Sequence, residues 1–204
     1  MVLHQWQLNK KNFTLVDDLK AKKFALRYIQ EGDNILDIGC GDCKFFDIAS
    51  KFKPNSKFYG FDIIPQALEI CKKKGYNPVS SLTNLKLKFG VITMFECFEH
   101  LDYKERFNQV KIINNLLKSN GYVVLSFPHV SSFLSILHYG DNPEHQEPYP
   151  SSRNITKFFS NYEIVEITYF NPWLNPFKIL HCIITGLSFN AIYNNVCYVL
   201  KKKN

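Results

Sequence analysis

Residues 34–46, "NILDIGCGDCKFF", carry two patterns at once. Cys40 and Cys43 form a C-x-x-C, the spacing of a redox pair or of half a zinc site. The same residues give Asp37-x-Gly39-x-Gly41, an acid and two glycines directly behind an apolar run. A glycine turn of that kind belongs between a strand and a helix. The surrounding periodicity therefore decides between the two readings.

Outward from this stretch, the pattern alternates in kind. Residues 13–31 have helical spacing, with Leu15, Leu19, Phe24 and Ile29 among the apolar positions. "NILDIG" reads as a short buried strand, "CKFFDIASKF" as a helix and "KFYGFDI" as a second strand. Pro65 suits the first turn of the helix "PQALEICKKKG", which stops at Gly75. "FGVITMFE" is a third strand, "KERFNQVKIINNLLKSNG" a helix closed by Asn120-Gly121, and "YVVLSFP" a fourth strand. "EIVEITYF" and "NNVCYVLKK" read as two final strands. Strands alternating with helices of ten or more residues imply parallel pairing through right-handed crossovers, hence an α/β layered fold.

A chain of 204 residues is expected to form one domain, residues 1–204, with residues 1–30 as an N-terminal helical cover. Residues 129–154, rich in Ser, Gly, Asn, Pro and His, form a long acceptor-side loop, and loops of that length within a domain are usually functional. The apolar share of 46% and charged share of 21% are those of a globular protein. The net charge of +7 is spread in small lysine groups, which describes a solvated surface rather than a nucleic-acid arm. No signal-peptide pattern and no membrane-length apolar run are evident, so a cytoplasmic protein with reduced cysteines is expected.

In an open parallel sheet, ligands sit beyond the carboxyl ends of the strands. Gly39 and Gly41 fall at the first such end, where a missing Cβ permits a sharp turn and close approach of a ligand. Asp62 ends the second strand, where a carboxylate can grip both ribose hydroxyls of a nucleoside. A dinucleotide-binding dehydrogenase would want G-x-G-x-x-G, whereas Lys44 stands three residues after Gly41.

Taken together, "ILDIGCGDCKFFDIA", "FYGFDIIPQALEICKKKG", "FGVITMFECFEHL" and "LLKSNGYVVLSFP" resemble class I S-adenosylmethionine-dependent methyltransferases across residues 30–130. The branch resembled is the small-molecule O-methyltransferases similar to the ubiquinone-pathway enzymes. The resemblance implies a Rossmann-like three-layer sandwich, with a mostly parallel seven-stranded sheet and an antiparallel C-terminal strand. It implies that Asp37, Gly39 and Gly41 hold the methionine portion of the cofactor, Asp62 the ribose, and Ile63 the adenine. S-adenosyl-L-homocysteine would be the product. Cys43 departs from the pattern, standing where many members have a third glycine.

"FECFEHL" places Glu96, Glu99 and His100 within five residues after the third strand. The resembled branch has a similar Glu-His lining the methyl-transfer site. His100 suits general-base work on an acceptor hydroxyl, with Glu99 and His145 beside the reaction. Alternatively, Glu96, Glu99, His100 and His145 form an oxygen–nitrogen set for a divalent metal that would clamp a vicinal diol. A structural role for Glu99 and His100 is the third reading. Tyr139, Tyr149 and Arg153 could line the acceptor side, and Trp6 could cover the cofactor. The apolar segment "NPWLNPFKILHCIITGLSF" can be core, a homodimer face or a membrane-surface contact.

The leading function is methyl transfer from S-adenosylmethionine to a hydroxyl of a small molecule or saccharide. The alternatives are a metal-assisted 2′-O-methyltransferase of RNA 3′ ends, a non-catalytic cofactor-binding scaffold, and a thiol oxidoreductase using Cys40 and Cys43. No basic groove with stacking aromatics stands out, so nucleic acid is not the expected partner.

Overall fold

Asp37 lies level with Gly60 on one neighbouring strand and with Thr93 on the other, at the centre of a seven-stranded sheet. The computed structural model describes residues 15–128, 152–172 and 193–203. Strands β1 (Asn34–Ile38), β2 (Lys57–Phe61), β3 (Asn77–Val79), β4 (Phe89–Phe95), β5 (Leu117–Pro128), β6 (Tyr162–Pro172) and β7 (Tyr193–Lys202) line up in the order β3-β2-β1-β4-β5-β7-β6. The first five pair in parallel, and β7 runs antiparallel to both β5 and β6. This is the expected sheet. From β1 the chain proceeds to β2 and β3 on one side, then crosses to β4 and β5 on the other. The carboxyl ends of β1 and β4 therefore flank the topological switch point, where open sheets bind ligands.

Helices α1 (Leu15–Ala25), α2 (Lys44–Phe52), α3 (Pro65–Lys73), α4 (Tyr103–Leu116) and α5 (Ser152–Phe158) supply the outer layers. The two-residue alternation of the strands sorts the core onto the two faces of the sheet. Leu36, Ile92 and Val123 join Ile113 and Leu116 of α4 and Phe158 of α5 in one cluster. Ile35, Val91 and Val124 join Ala21 and Ala25 of α1 and Phe45, Phe46 and Ala49 of α2 in the other. All seven residues of β4 are buried, because both faces of this central strand are covered. Among the described residues no helix is long and apolar enough to cross a membrane.

Two boundaries differ from the sequence expectation. The helix read to Asn120-Gly121 ends at Leu116, and Leu117 is already extended and paired with Phe89. The register then shifts, so that Val91 pairs with Tyr122 and residues 118–121 bulge from the ladder. A Cβ on Gly121 would come within 2.9 Å of the Gly90 carbonyl, so its glycine serves this close crossing rather than a helix stop. The short β3, with Pro78 inside it, is not among the strands named from the sequence; proline is tolerated there because β3 is an edge strand.

Two polar clamps hold the layers in place. Arg106 of α4 is fully buried, and its Nε and Nη2 donate to the carbonyls of Phe98 (3.2 Å) and Glu99 (3.1 Å). These carbonyls belong to the 3₁₀ turn Phe98–His100 that follows β4. The guanidinium also lies against the rings of Phe98 and Phe158. At its own N-terminus, α4 is closed by a reciprocal capping box between Asp102 and Glu105. On the opposite face, Tyr28 and Arg27 both donate to Glu166 of β6, tying the segment after α1 to the sheet edge.

Two consequences can be measured. Replacing Arg106 by Leu strips two buried carbonyls of their donor and should lower unfolding free energy by about 2–3 kcal/mol. A urea midpoint equal to that of wild type would show that the guanidinium does not hold the turn. The Tyr28 hydroxyl bond, helped by Arg27, holds the Glu166 carboxyl below its ordinary 4.5. Its contribution is thus present above 4.5 and lost as pH falls through the lower folded value. Thermal melts of Glu166→Gln should accordingly show a shallower loss of Tm on acidification than wild type, and parallel acid limbs would disprove the clamp.

Candidate functional site

The turn after β1 is built on a single carbonyl. Phe61, the last residue of β2, accepts from the amides of both Gly39 (2.8 Å) and Cys40 (3.1 Å). That fixes the start of the turn to the end of the neighbouring strand. Gly39 (φ 80°), Gly41 (φ 50°) and Cys43 (φ 59°) then adopt left-handed conformations. The Cys43 amide closes the turn on the Cys40 carbonyl at 2.8 Å. Glycine is needed at 39 for space as well as φ, since a Cβ there would stand 2.8 Å from the Cys97 sulfur. Among the described residues a Cβ on Gly41 would meet nothing within 4 Å, so they leave the face of the turn above it open.

Asp62 joins this turn from the next residue of the chain. Its Oδ2 accepts from the Gly41 amide at 2.9 Å and its Oδ1 from the Ile64 amide at 3.0 Å. Ile63, between them, is 75% exposed, an unusual position for an isoleucine beside a buried sheet. Asp37 is placed differently from its neighbours. It is 2% exposed and accepts from the Thr93 hydroxyl at 2.7 Å, so it lies beneath the turn and links β1 to β4. Gly39, Gly41, Asp62 and Ile63 thus form one open edge, with the Asp37 carboxylate behind it. An apolar platform and an acid beside glycines that carry no side chain fit a nucleoside joined to a charged chain.

At the end of β4 the backbone is strained. Glu96 has φ 50°, a conformation that costs a non-glycine residue roughly 1–2 kcal/mol. Its amide donates to the Ser126 carbonyl at 2.8 Å. Its Oε1 accepts from the Ser126 hydroxyl (3.1 Å) and the Asn195 side-chain amide (3.2 Å). These contacts from β5 and β7 hold the carboxylate in place. Glu99 is 1% exposed, and His100 Nε2 stands 4.0 Å from its Oε1, with the imidazole half-buried.

The structure therefore brings Asp37, Gly39, Gly41, Asp62 and Ile63 to one turn, and Glu96, Glu99 and His100 to the end of the adjacent strand. Glu96 and Glu99 turn to different surroundings, and among the described residues no three His, Cys, Asp or Glu side chains form a group able to hold a metal ion. His145, Tyr139, Tyr149, Trp6 and the apolar segment 173–192 lie outside the described residues. Arg153 and Thr156 are exposed on α5, with the Thr156 hydroxyl donating to the Arg153 carbonyl. Sequence reasoning misses Thr93, Ser126, Asn195 and Arg106. The first three sit in strands that give no local signal, and an arginine in a polar-looking helix reads as surface.

The comparisons with known proteins agree with this geometry. A family model described as a methyltransferase domain matches residues 8–166. A SAM-dependent methyltransferase from Archaeoglobus fulgidus superposes with a TM-score of 0.71 at 20% identity, over 91% of this chain and 94% of that one. The N-methyltransferase NodS from Bradyrhizobium japonicum, solved with S-adenosyl-L-homocysteine, gives 0.66 at 14% identity over 98% and 92%. An S-adenosylmethionine-dependent methyltransferase from Clostridium acetobutylicum gives 0.63 at 14% over 93% and 93%. At these identities the structures speak to the fold alone. No curated protein matches in sequence. With the switch-point turn, the seven-stranded sheet and a family match over most of its length, the chain belongs to the methyltransferase domain family.

Proposed function

We propose that the protein transfers a methyl group from S-adenosylmethionine to a hydroxyl of a small molecule or saccharide. The observation that carries the cofactor half is the Gly41 amide bonded to Asp62 Oδ2 beside the exposed Ile63. In this reading Asp62 takes the ribose hydroxyls, Ile63 supports the adenine, and Gly39 and Gly41 lie against the methionine portion. Asp37, beneath the turn, contributes negative charge toward the methionine ammonium without reaching the open face. The cofactor supplies a methyl on a sulfonium, already activated for displacement.

The protein's remaining work is alignment and proton removal. The strand order supports the acceptor lying toward β4 and β5, since the ribose carboxylate follows β2 and the glycine turn follows β1. His100 is our candidate base. Its imidazole is half-buried, with Nε2 4.0 Å from the deeply buried Glu99 carboxylate. Arg106 positions both residues through the carbonyls of their turn.

Three measurements separate the parts of this reading. Asp62→Ala should weaken S-adenosyl-L-homocysteine binding by about tenfold or more in calorimetry, since a charged hydrogen-bond acceptor is lost. Unchanged affinity would remove Asp62 from the ribose site. His100→Ala should lower kcat by about a hundredfold or more while leaving that affinity intact. A panel of sugars, phenols and amines tests the acceptor, and methylation of amines alone would overturn the hydroxyl assignment without touching the cofactor site.

A further inference from the structure

Lysines that are scattered along the sequence meet at the amino ends of the parallel strands. Lys57 opens β2 beside Asn34 of β1, and its amide donates to the Asp33 carbonyl at 2.9 Å. Lys88 immediately precedes β4, and its carbonyl accepts from the Asn34 side-chain amide at 3.2 Å. Lys88 Nζ reaches the Asn115 carbonyl (2.5 Å) and Lys202 Nζ the Asn114 carbonyl (3.3 Å). Two ammonium groups thus converge on the last turn of α4, where the helix dipole favours cations. Lys118 of β5 pairs with Asp33 at 2.9 Å, and among the described residues it is the only one of these lysines with a carboxylate partner. The other acids near this edge are Glu31, which accepts from the Asn55 amide, and Glu163, which stands opposite Lys201. The carboxyl edge carries instead Asp37, Asp62, Glu96 and Glu99.

Two exposed apolar side chains stand within the basic edge, each between two lysines. Lys51-Phe52-Lys53 closes α2, and the Lys53 carbonyl accepts from the Ser56 amide in the turn that leads to β2. Phe52 is 63% exposed, and among the large apolar residues described only Ile63 is more so. Lys86-Leu87-Lys88 leads into β4, with Leu87 36% exposed. No described residue covers either tip, and each is ringed by charge that keeps it in water.

We propose that this amino edge docks on an anionic lipid bilayer, with its lysines against the headgroups and Phe52 and Leu87 entering the interface. Lysines held near an anionic leaflet are attracted by its surface potential over about a Debye length. Apolar tips between them add burial at the headgroup boundary, which charge alone does not supply. A nucleic acid is the less suited partner, because its backbone calls for a groove with stacking aromatics and this edge offers isolated apolar tips. Lysine, a point charge without the planar fork of arginine, also suits a diffuse charged surface better than a fixed phosphate pair. In this orientation the glycine turn and Asp62 face away from the bilayer, so cofactor and acceptor arrive from water. Only that last consequence rests on the cofactor reading above.

The test is co-sedimentation of the full chain with vesicles of phosphatidylcholine, with and without phosphatidylserine. Binding is expected on the anionic vesicles alone and should fall as salt is raised, because the attraction is screened. Combining Lys53→Glu, Lys57→Glu and Lys86→Glu should weaken it by about a hundredfold or more, at roughly fivefold for each charge removed. Combining Phe52→Ser with Leu87→Ser should weaken it by about tenfold and leave the salt dependence in place. Urea midpoints equal to that of wild type are expected for both variants, since all five positions are surface positions. Equal sedimentation with pure phosphatidylcholine, full binding by the charge-reversed variant, or unchanged affinity of the serine variant would each overturn the proposal. Tighter binding to a single-stranded RNA oligonucleotide than to anionic vesicles would overturn it too, assigning the edge to nucleic acid. Saturating vesicles should leave S-adenosyl-L-homocysteine affinity unchanged, and a loss would overturn the orientation. Protein that fails to bind S-adenosyl-L-homocysteine without vesicles would overturn the cofactor reading, whereas sedimentation judges the docking by itself.

Discussion

The Phe61 carbonyl receives the amides of Gly39 and Cys40, and the geometry of the whole carboxyl edge follows from that double bond. It sets the turn after β1 directly against the end of β2. The next residue but none intervening, Asp62, can then reach back to the Gly41 amide with one carboxylate oxygen while the other holds Ile64. This arrangement requires two extended strands in parallel register, with Ile38 beside Phe61. It also requires left-handed backbone at Gly39 and Gly41, which only glycine adopts without penalty. The sheet supplies the first requirement and the sequence the second.

A similar economy governs the end of β4. The strand is buried on both faces, so its direction is fixed by packing and its last residues have little freedom. Glu96 leaves the strand with positive φ, and the bonds from Ser126 and Asn195 hold the side chain of that strained residue. One turn later, Arg106 grips the carbonyls of Phe98 and Glu99 from α4. Each of these partners comes from a different element, so the post-β4 segment registers the correct assembly of β5, β7 and α4 together. A rigid scaffold of this kind is what alignment of acceptor and methyl donor demands.

The parts legible in the sequence were those with local periodicity or local chemistry. Strand and helix alternation marked the α/β class, and the acid-glycine turn with Asp62 marked residues that the structure brings together at the switch point. The missed features depend on distant partners. Gly121 looked like a helix stop because Asn-Gly usually is one, yet its role is set by the Gly90 carbonyl that crosses it. The three-residue β3 has no periodicity to show it, and the Pro78 inside it is permitted by its edge position. Arg106 gave no sign of burial because its partners are backbone carbonyls, which have no signature in sequence. Thr93, whose hydroxyl donates to the Asp37 carboxylate from the neighbouring strand, likewise had no local signal.

The two readings of residues 34–46 turn out to describe the two sides of one turn. Its outer side is the glycine face, with Gly41 open and Asp62 at its rim. Its inner side is the thiol face, packed against Gly60 and Cys71. Cys43 stands at φ 59°, which costs a side-chain-bearing residue roughly 1–2 kcal/mol relative to glycine. A glycine there would remove that strain but would leave empty the space that the fully buried Cys43 side chain fills. The inner face is filled by the buried side chains of Cys40, Cys43 and Cys71, and the outer face carries no side chain at Gly41. The departure from the glycine pattern is thus accommodated inside the core, away from the edge formed by Gly41 and Asp62.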